Sequence, residues 1–90
     1  MNTAFLLMAQ YNGAAVIPLE AVCRDYFSHL TPAEFSRKAT NGDIALPVVR
    51  IEQSQKAARG VYLADLASWI DKRREAARKE CDQMQGRKSD

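Results

Sequence analysis

Six residues, Leu30-Thr31-Pro32-Ala33-Glu34-Phe35, constrain this chain more than any other stretch, because several helix-start signals coincide there. Thr31 as N-cap can accept from the backbone amide of Glu34, and Glu34 can reach back to the Thr31 amide. Pro32 falls at the first helical position, where its missing N–H costs nothing, and Leu30 can pack on Phe35 as a hydrophobic staple. Asn41-Gly42 supplies a left-handed stop, so the spacing predicts a short helix that turns Phe35 and Ala39 inward. Upstream, Pro18 suits the first turn of another helix, in which Leu19, Val22, Cys23 and Tyr26 recur at i, i+3, i+4 and i+7. That pattern makes Cys23 a core residue. Only Ser28, His29 and Leu30 separate the two helices, which makes them a helix-turn-helix candidate.

The flanking segments extend this unit. Residues 3 to 11 place Ala4, Phe5, Leu7, Met8 and Tyr11 on one helical stripe, with Leu6 off it. The Asn12-Gly13 turn and the following Ala14, Val16 and Ile17 allow a brief strand, and a hairpin beginning at Phe5 competes with the helix. Past Gly42, Leu46-Pro47-Val48-Val49-Arg50-Ile51 is β-branched and Val61-Tyr62-Leu63 is apolar, with a polar, basic loop from Gln53 to Gly60 between them. This predicts a two-stranded ribbon with Pro47 at a strand start or edge. From Ala64 a last helix turns Leu66, Ala67, Trp69 and Ile70 inward and continues to about Met84, while Gly86 to Asp90 look frayed. The fold class expected is mainly α with a small β-ribbon, a winged helix-turn-helix. It is read as one domain over residues 1–85 with an extended C-terminal helix and a disordered tail at 86–90.

Ninety residues leave room for a single core. The longest apolar run, Ala4 to Ala9, is far short of the roughly 20 residues a membrane span needs, and no basic stretch or cleavage pattern marks a secretory leader, so a cytoplasmic location is expected. Two cysteines 58 positions apart and one histidine match no metal or redox spacing. Cys23 and Cys81 are therefore read as free thiols and His29 as a turn residue, with no metal and no cofactor expected. Scattered carboxylates, no glycine-rich phosphate loop and no oriented nucleophile leave nothing to build a catalytic set, so the chain is read as a non-enzyme.

The net charge of +2 implies no partner by itself, but the charge is segregated. Residues 1–30 carry one basic residue, Arg24. Residues 37–59 carry Arg37, Lys38, Arg50, Lys56 and Arg59 against Asp43 and Glu52, and residues 72–79 carry five basic residues against Glu75. With Phe35 and Ala39 buried, Ala33, Arg37, Thr40 and Asn41 fall on the outer face of their helix, with Ser36 and Lys38 on its flanks. These side chains suit double-stranded DNA. Arginine can bind guanine O6 and N7 together, asparagine can do the same for adenine, alanine and threonine methyls can meet thymine, and serine or lysine can hold phosphates. Ser54, Gln55, Lys56 and Arg59 would form the wing, with Lys56 and Arg59 neutralising phosphates or entering a minor groove. An ordinary solvated helix face and a merely mobile loop explain the same residues without DNA. On the last helix Leu66, Ile70, Ala77, Cys81 and Met84 follow an approximate coiled-coil alternation, interrupted at Arg73 and Glu80, which makes a homodimer the expectation there.

The stretches Phe5-Leu6-Leu7-Met8-Ala9-Gln10-Tyr11, Ile17-Pro18-Leu19-Glu20, Asp25-Tyr26-Phe27, Arg50-Ile51-Glu52, Ser54-Gln55-Lys56 and Asp65-Leu66-Ala67 closely resemble the pyocin activator family of the PrtN type, over about residues 1–80. The segment from Gly42 through Trp69 is more loosely similar to the wing and last helix of phage excisionases. The first resemblance implies a transcriptional activator that binds repeated promoter boxes upstream of pyocin or prophage genes once DNA damage relieves a repressor, with RNA polymerase as a further partner. The second implies an architectural factor that bends attachment-site DNA. A third possibility is a protein-binding adaptor or anti-repressor acting through the last helix.

Overall fold

In the computed structural model, which describes residues 2–52 and 58–85, four helices surround a small antiparallel sheet. The elements run α1 (Thr3–Gln10), β1 (Val16–Pro18), α2 (Leu19–Tyr26), α3 (Pro32–Thr40), β2 (Val49–Arg50), β3 (Arg59–Tyr62) and α4 (Leu63–Met84). The fold is thus mainly helical, as expected. The expected two-stranded ribbon is instead a three-stranded sheet in the order β1-β3-β2. Ile17 pairs with Val61 and Val49 with Gly60, so β1, which follows the Asn12-Gly13 turn, closes the ribbon onto the helices. Leu63, expected at a strand end, is the first residue of α4. Pro47 precedes β2, where its missing N–H takes nothing from the ladder.

Each short helix is closed by local chemistry. Asn2 caps α1 by accepting from the Ala4 amide at 2.7 Å. At its other end Asn12 takes a left-handed φ of 55° and the Gly13 amide reaches back to the Met8 carbonyl at 2.8 Å, a Schellman closure. Gly60 sits in the middle strand with no room for a side chain, since a Cβ there would lie 2.5 Å from the Ile17 carbonyl oxygen.

The core joins Leu7 of α1, Ile17 of β1, Leu19, Val22 and Cys23 of α2, Phe35 of α3, Val61 of β3 and Leu66 of α4. Burying each large apolar side chain contributes about 1.5–3 kcal/mol. The expected stripe on α1 is narrower than its periodicity suggested. Leu7 is buried and Ala4 and Tyr11 are half-buried, but Phe5 and Met8 are exposed together with Leu6, because α1 packs chiefly against α4. The Thr3 hydroxyl donates to Asp71 at 2.6 Å and ties the start of α1 to α4. Helix α4, at about 1.5 Å per residue, is roughly 33 Å long. It outruns the core, and the molecule measures 55 × 29 × 19 Å.

A polar cluster fastens α1 to α2. The Tyr11 hydroxyl donates to Asp25 at 2.6 Å, Arg24 donates to the same carboxylate at 2.9 Å, and the Tyr26 hydroxyl donates to Gln10 at 2.9 Å. The Arg24 guanidinium first, and the Tyr11 hydroxyl next, hold the Asp25 carboxyl down at about 2. Burial, and then the hydrogen bond to Asp25, push the Tyr11 phenol well above its usual range. Because the Asp25 pKa is lowered on folding, its contribution is present above the ordinary value of 3.8 and is lost as pH falls through about 2. Urea midpoints measured between pH about 4 and about 2 should fall more steeply for the wild type than for Asp25→Asn. Parallel declines would show that the cluster adds nothing to stability.

Candidate nucleic-acid interface

Helix α3 is built as its sequence predicts. The Thr31 hydroxyl accepts from the Glu34 amide at 3.1 Å, and the Thr31 amide donates to the Glu34 carboxylate at 2.9 Å, completing the capping box. That backbone hydrogen bond is the main reason the Glu34 carboxyl is held below its usual range. At the other end Gly42 takes φ +84°, and the amides of Asp43 and Gly42 return to the carbonyls of Lys38 and Ala39 at 2.9 and 3.2 Å. This Schellman motif stops the helix sharply, and Arg37 and Lys38 in its last turn complement the negative end of the helix dipole.

Phe35 anchors the helix from below. It is fully buried and meets Phe27 edge-to-face at 4.9 Å, and Phe27 in turn meets Trp69 of α4 at 5.0 Å. Trp69 therefore belongs to the core edge, as its stripe predicted. Ala33, Arg37, Thr40 and Asn41, opposite Phe35, and Lys38 on the flank are all exposed. The Thr40 hydroxyl donates to the Ser36 carbonyl at 2.9 Å, so what Thr40 offers outward is its methyl and its oxygen lone pairs.

Two expected contact residues are placed differently. Ser36 is not on an open flank. It is buried at 9% exposure beneath the sheet, and its hydroxyl accepts from the Arg59 guanidinium at 3.3 Å. Arg59 is correspondingly half-buried and spends a donor on tying β3 to α3, so it is a brace for the helix more than a free wing anchor. Arg50, which the charge pattern placed in a basic zone but not at a contact point, is exposed on β2 opposite Arg59. With Ser36, Ala39, Thr40 and Val48 it lines a cleft of about 110 Å³ between α3 and the sheet. Strand pairing between β2 and β3 was the only available signal for this placement. Ser54, Gln55 and Lys56 lie outside the described residues, as does the tail expected at 86–90.

Along α4 the expected seam divides. Leu66 is fully buried in the core of its own chain and so cannot contact a second copy, which removes it from the seam. Ile70 is half-buried, while Ala77, Cys81 and Met84 are exposed on the overhanging half. Cys23 is buried and Cys81 exposed, and both are free thiols. No helix among the described residues is long and apolar enough to cross a membrane.

These features define a small, mainly helical protein that presents a polar, basic face on one short capped helix, with an exposed arginine on the strand beside it. The family model for pyocin activator protein PrtN matches residues 3–77, and the chain belongs to that family of regulators, whose role is activation of pyocin genes. No curated protein and no solved structure matched the chain, so the looser similarity to excisionases gains no support from them.

Proposed function

We propose that the protein is a sequence-specific, winged-helix transcriptional activator that binds promoter boxes in double-stranded DNA. The carrying observation is the outer face of α3, where Ala33, Arg37, Thr40 and Asn41 are exposed opposite a fully buried Phe35, with Lys38 exposed on the flank. Helices α2 and α3 with their short turn act as the helix-turn-helix, and α3 enters the major groove. Arg37 and Asn41 have the donor geometry to read purine edges, the Ala33 and Thr40 methyls suit thymine, and Lys38 holds a phosphate. Strands β2 and β3 form the wing. Arg50 reaches the backbone from its exposed position, Ser54, Gln55 and Lys56 add further backbone contacts, and Ser36 and Arg59 brace α3 against the wing. As an activator the protein would meet RNA polymerase once bound, which fits a cytoplasmic regulator.

Arg37→Ala should cost roughly 1–3 kcal/mol on a specific site and relax one base position, whereas Arg50→Ala should weaken specific and random DNA alike. Competition binding on a promoter fragment from the host's own prophage, with each base pair varied in turn, measures both. Equal losses on specific and random DNA for Arg37→Ala would remove the base-reading role.

A further inference from the structure

We infer that the protein forms a two-fold homodimer in which the overhanging halves of α4 from two copies pair antiparallel, crossing near Glu75 and Ala76. Three observations point there. From Asp71 to Met84 only Ala76 is even half-buried, so this stretch of helix has almost no support from its own domain. Most helical stability in proteins comes from packing an amphipathic face, so an overhang of this length gains from a partner that covers it.

The overhang also continues the buried stripe of the helix. At about 100° per residue, Ala77, Cys81 and Met84 lie within about 50° of the mean direction of Leu63, Leu66, Ala67 and Ile70. The one charged residue on that line is Arg74. Facing a partner's small Ala77 across the crossing, its stem can lie on the seam while its guanidinium reaches solvent.

The charges choose the direction. Arg73 and Glu80 flank the seam on one side and Asp71 and Arg78 on the other. Neither Arg73 nor Glu80 has an oppositely charged residue three or four positions away on its own helix, and neither makes an ion pair among the described residues. In the antiparallel arrangement Arg73 meets the partner's Glu80 twice by symmetry, and Arg78, which touches Glu75 at 3.5 Å, comes within reach of the partner's Asp71, which accepts from Thr3. A parallel pairing in register would instead set Arg73 beside the partner's Arg78 and oppose the two Arg74 side chains, which like-charge repulsion disfavours. Antiparallel pairing also brings the partner's Cys81 to Ile70.

Sedimentation velocity of the full chain over a concentration series tests this. The wild type should associate to a dimer. Glu80→Arg and Arg73→Glu should each raise the dimer dissociation constant about tenfold, and the double variant should recover to within about threefold of wild type. Far-UV circular dichroism on each variant controls for folding. Under mild oxidation Ile70→Cys should form a disulfide-linked dimer through the native Cys81. The wild type should not, since its own two Cys81 residues would stand about 16 Å apart along the axis. A wild type that stays monomeric at every concentration overturns the dimer. A Cys81 cross-link in the wild type overturns the antiparallel register, and single charge reversals that associate like wild type overturn the pairing even if Ile70→Cys is poorly folded.

Discussion

Phe35→Ala is expected to destabilise the protein by about 3–5 kcal/mol, the usual cost of emptying a buried aromatic site. The side chain is fully buried, and it carries the contact from α3 through Phe27 to Trp69 of α4. Its removal leaves a cavity directly under the outer face of α3 and loses an edge-to-face aromatic pair, worth about 0.5–1.5 kcal/mol beyond area burial. A chain of this size holds roughly 5–13 kcal/mol in total, so the loss is a large fraction of what keeps it folded. The urea midpoint should drop sharply. Arg37→Ala, on the opposite side of the same helix, should move it by no more than about 0.5 kcal/mol. A Phe35→Ala protein as stable as wild type would mean that α3 is not held by the core, and its outer face could then not be presented rigidly to anything.

The contrast between these two positions also shows what could be read before any coordinates. Helix α3 was legible because everything that defines it is local: the Thr31–Glu34 box, Pro32 at the first turn and Gly42 at the stop all act within a few residues. The inward stripe on α4 was legible for the same reason. What was hidden is non-local. Ser36 follows Phe35 and looks exposed by helical periodicity, yet Arg59, distant in sequence, covers it from the sheet. A brief strand after the Asn12-Gly13 turn was legible, but its place was not, because Val16, Ile17 and Pro18 join the ribbon only through pairing with the distant Tyr62, Val61 and Gly60. Phe5 and Met8 read as core because an apolar stripe says which residues can be buried, not how wide a partner will cover them. Here α4 reaches Leu7 and Ala4 and leaves the rest open. Arg50 belongs with these cases, since its place at the cleft depends on the register of β2 against β3.

The affinity of the proposed DNA complex should fall about fortyfold between about 50 and about 200 mM salt. A net charge of only +2 would not by itself suggest so steep a dependence. Phosphate contacts respond to local charge, however, and Lys38 and Arg50 are exposed, with Lys56 as the third proposed contact. The three phosphates that Lys38, Arg50 and Lys56 would neutralise give a slope near −3 in log affinity against log salt, because each releases most of one condensed counterion. Glu34, whose carboxylate feels Arg37 and Lys38, and the exposed Asp43 and Glu52 offset part of this charge, while Asp25 is held by Arg24 and Tyr11. Random-sequence DNA should show nearly the same slope at lower affinity, since the base contacts made by Arg37 and Asn41 release no counterions, and Arg50→Ala should flatten the slope by about one. Fluorescence anisotropy on labelled promoter and random duplexes over that salt range measures all three. A slope shallower than about −1 on both duplexes would mean that this face does not lie along a phosphate backbone.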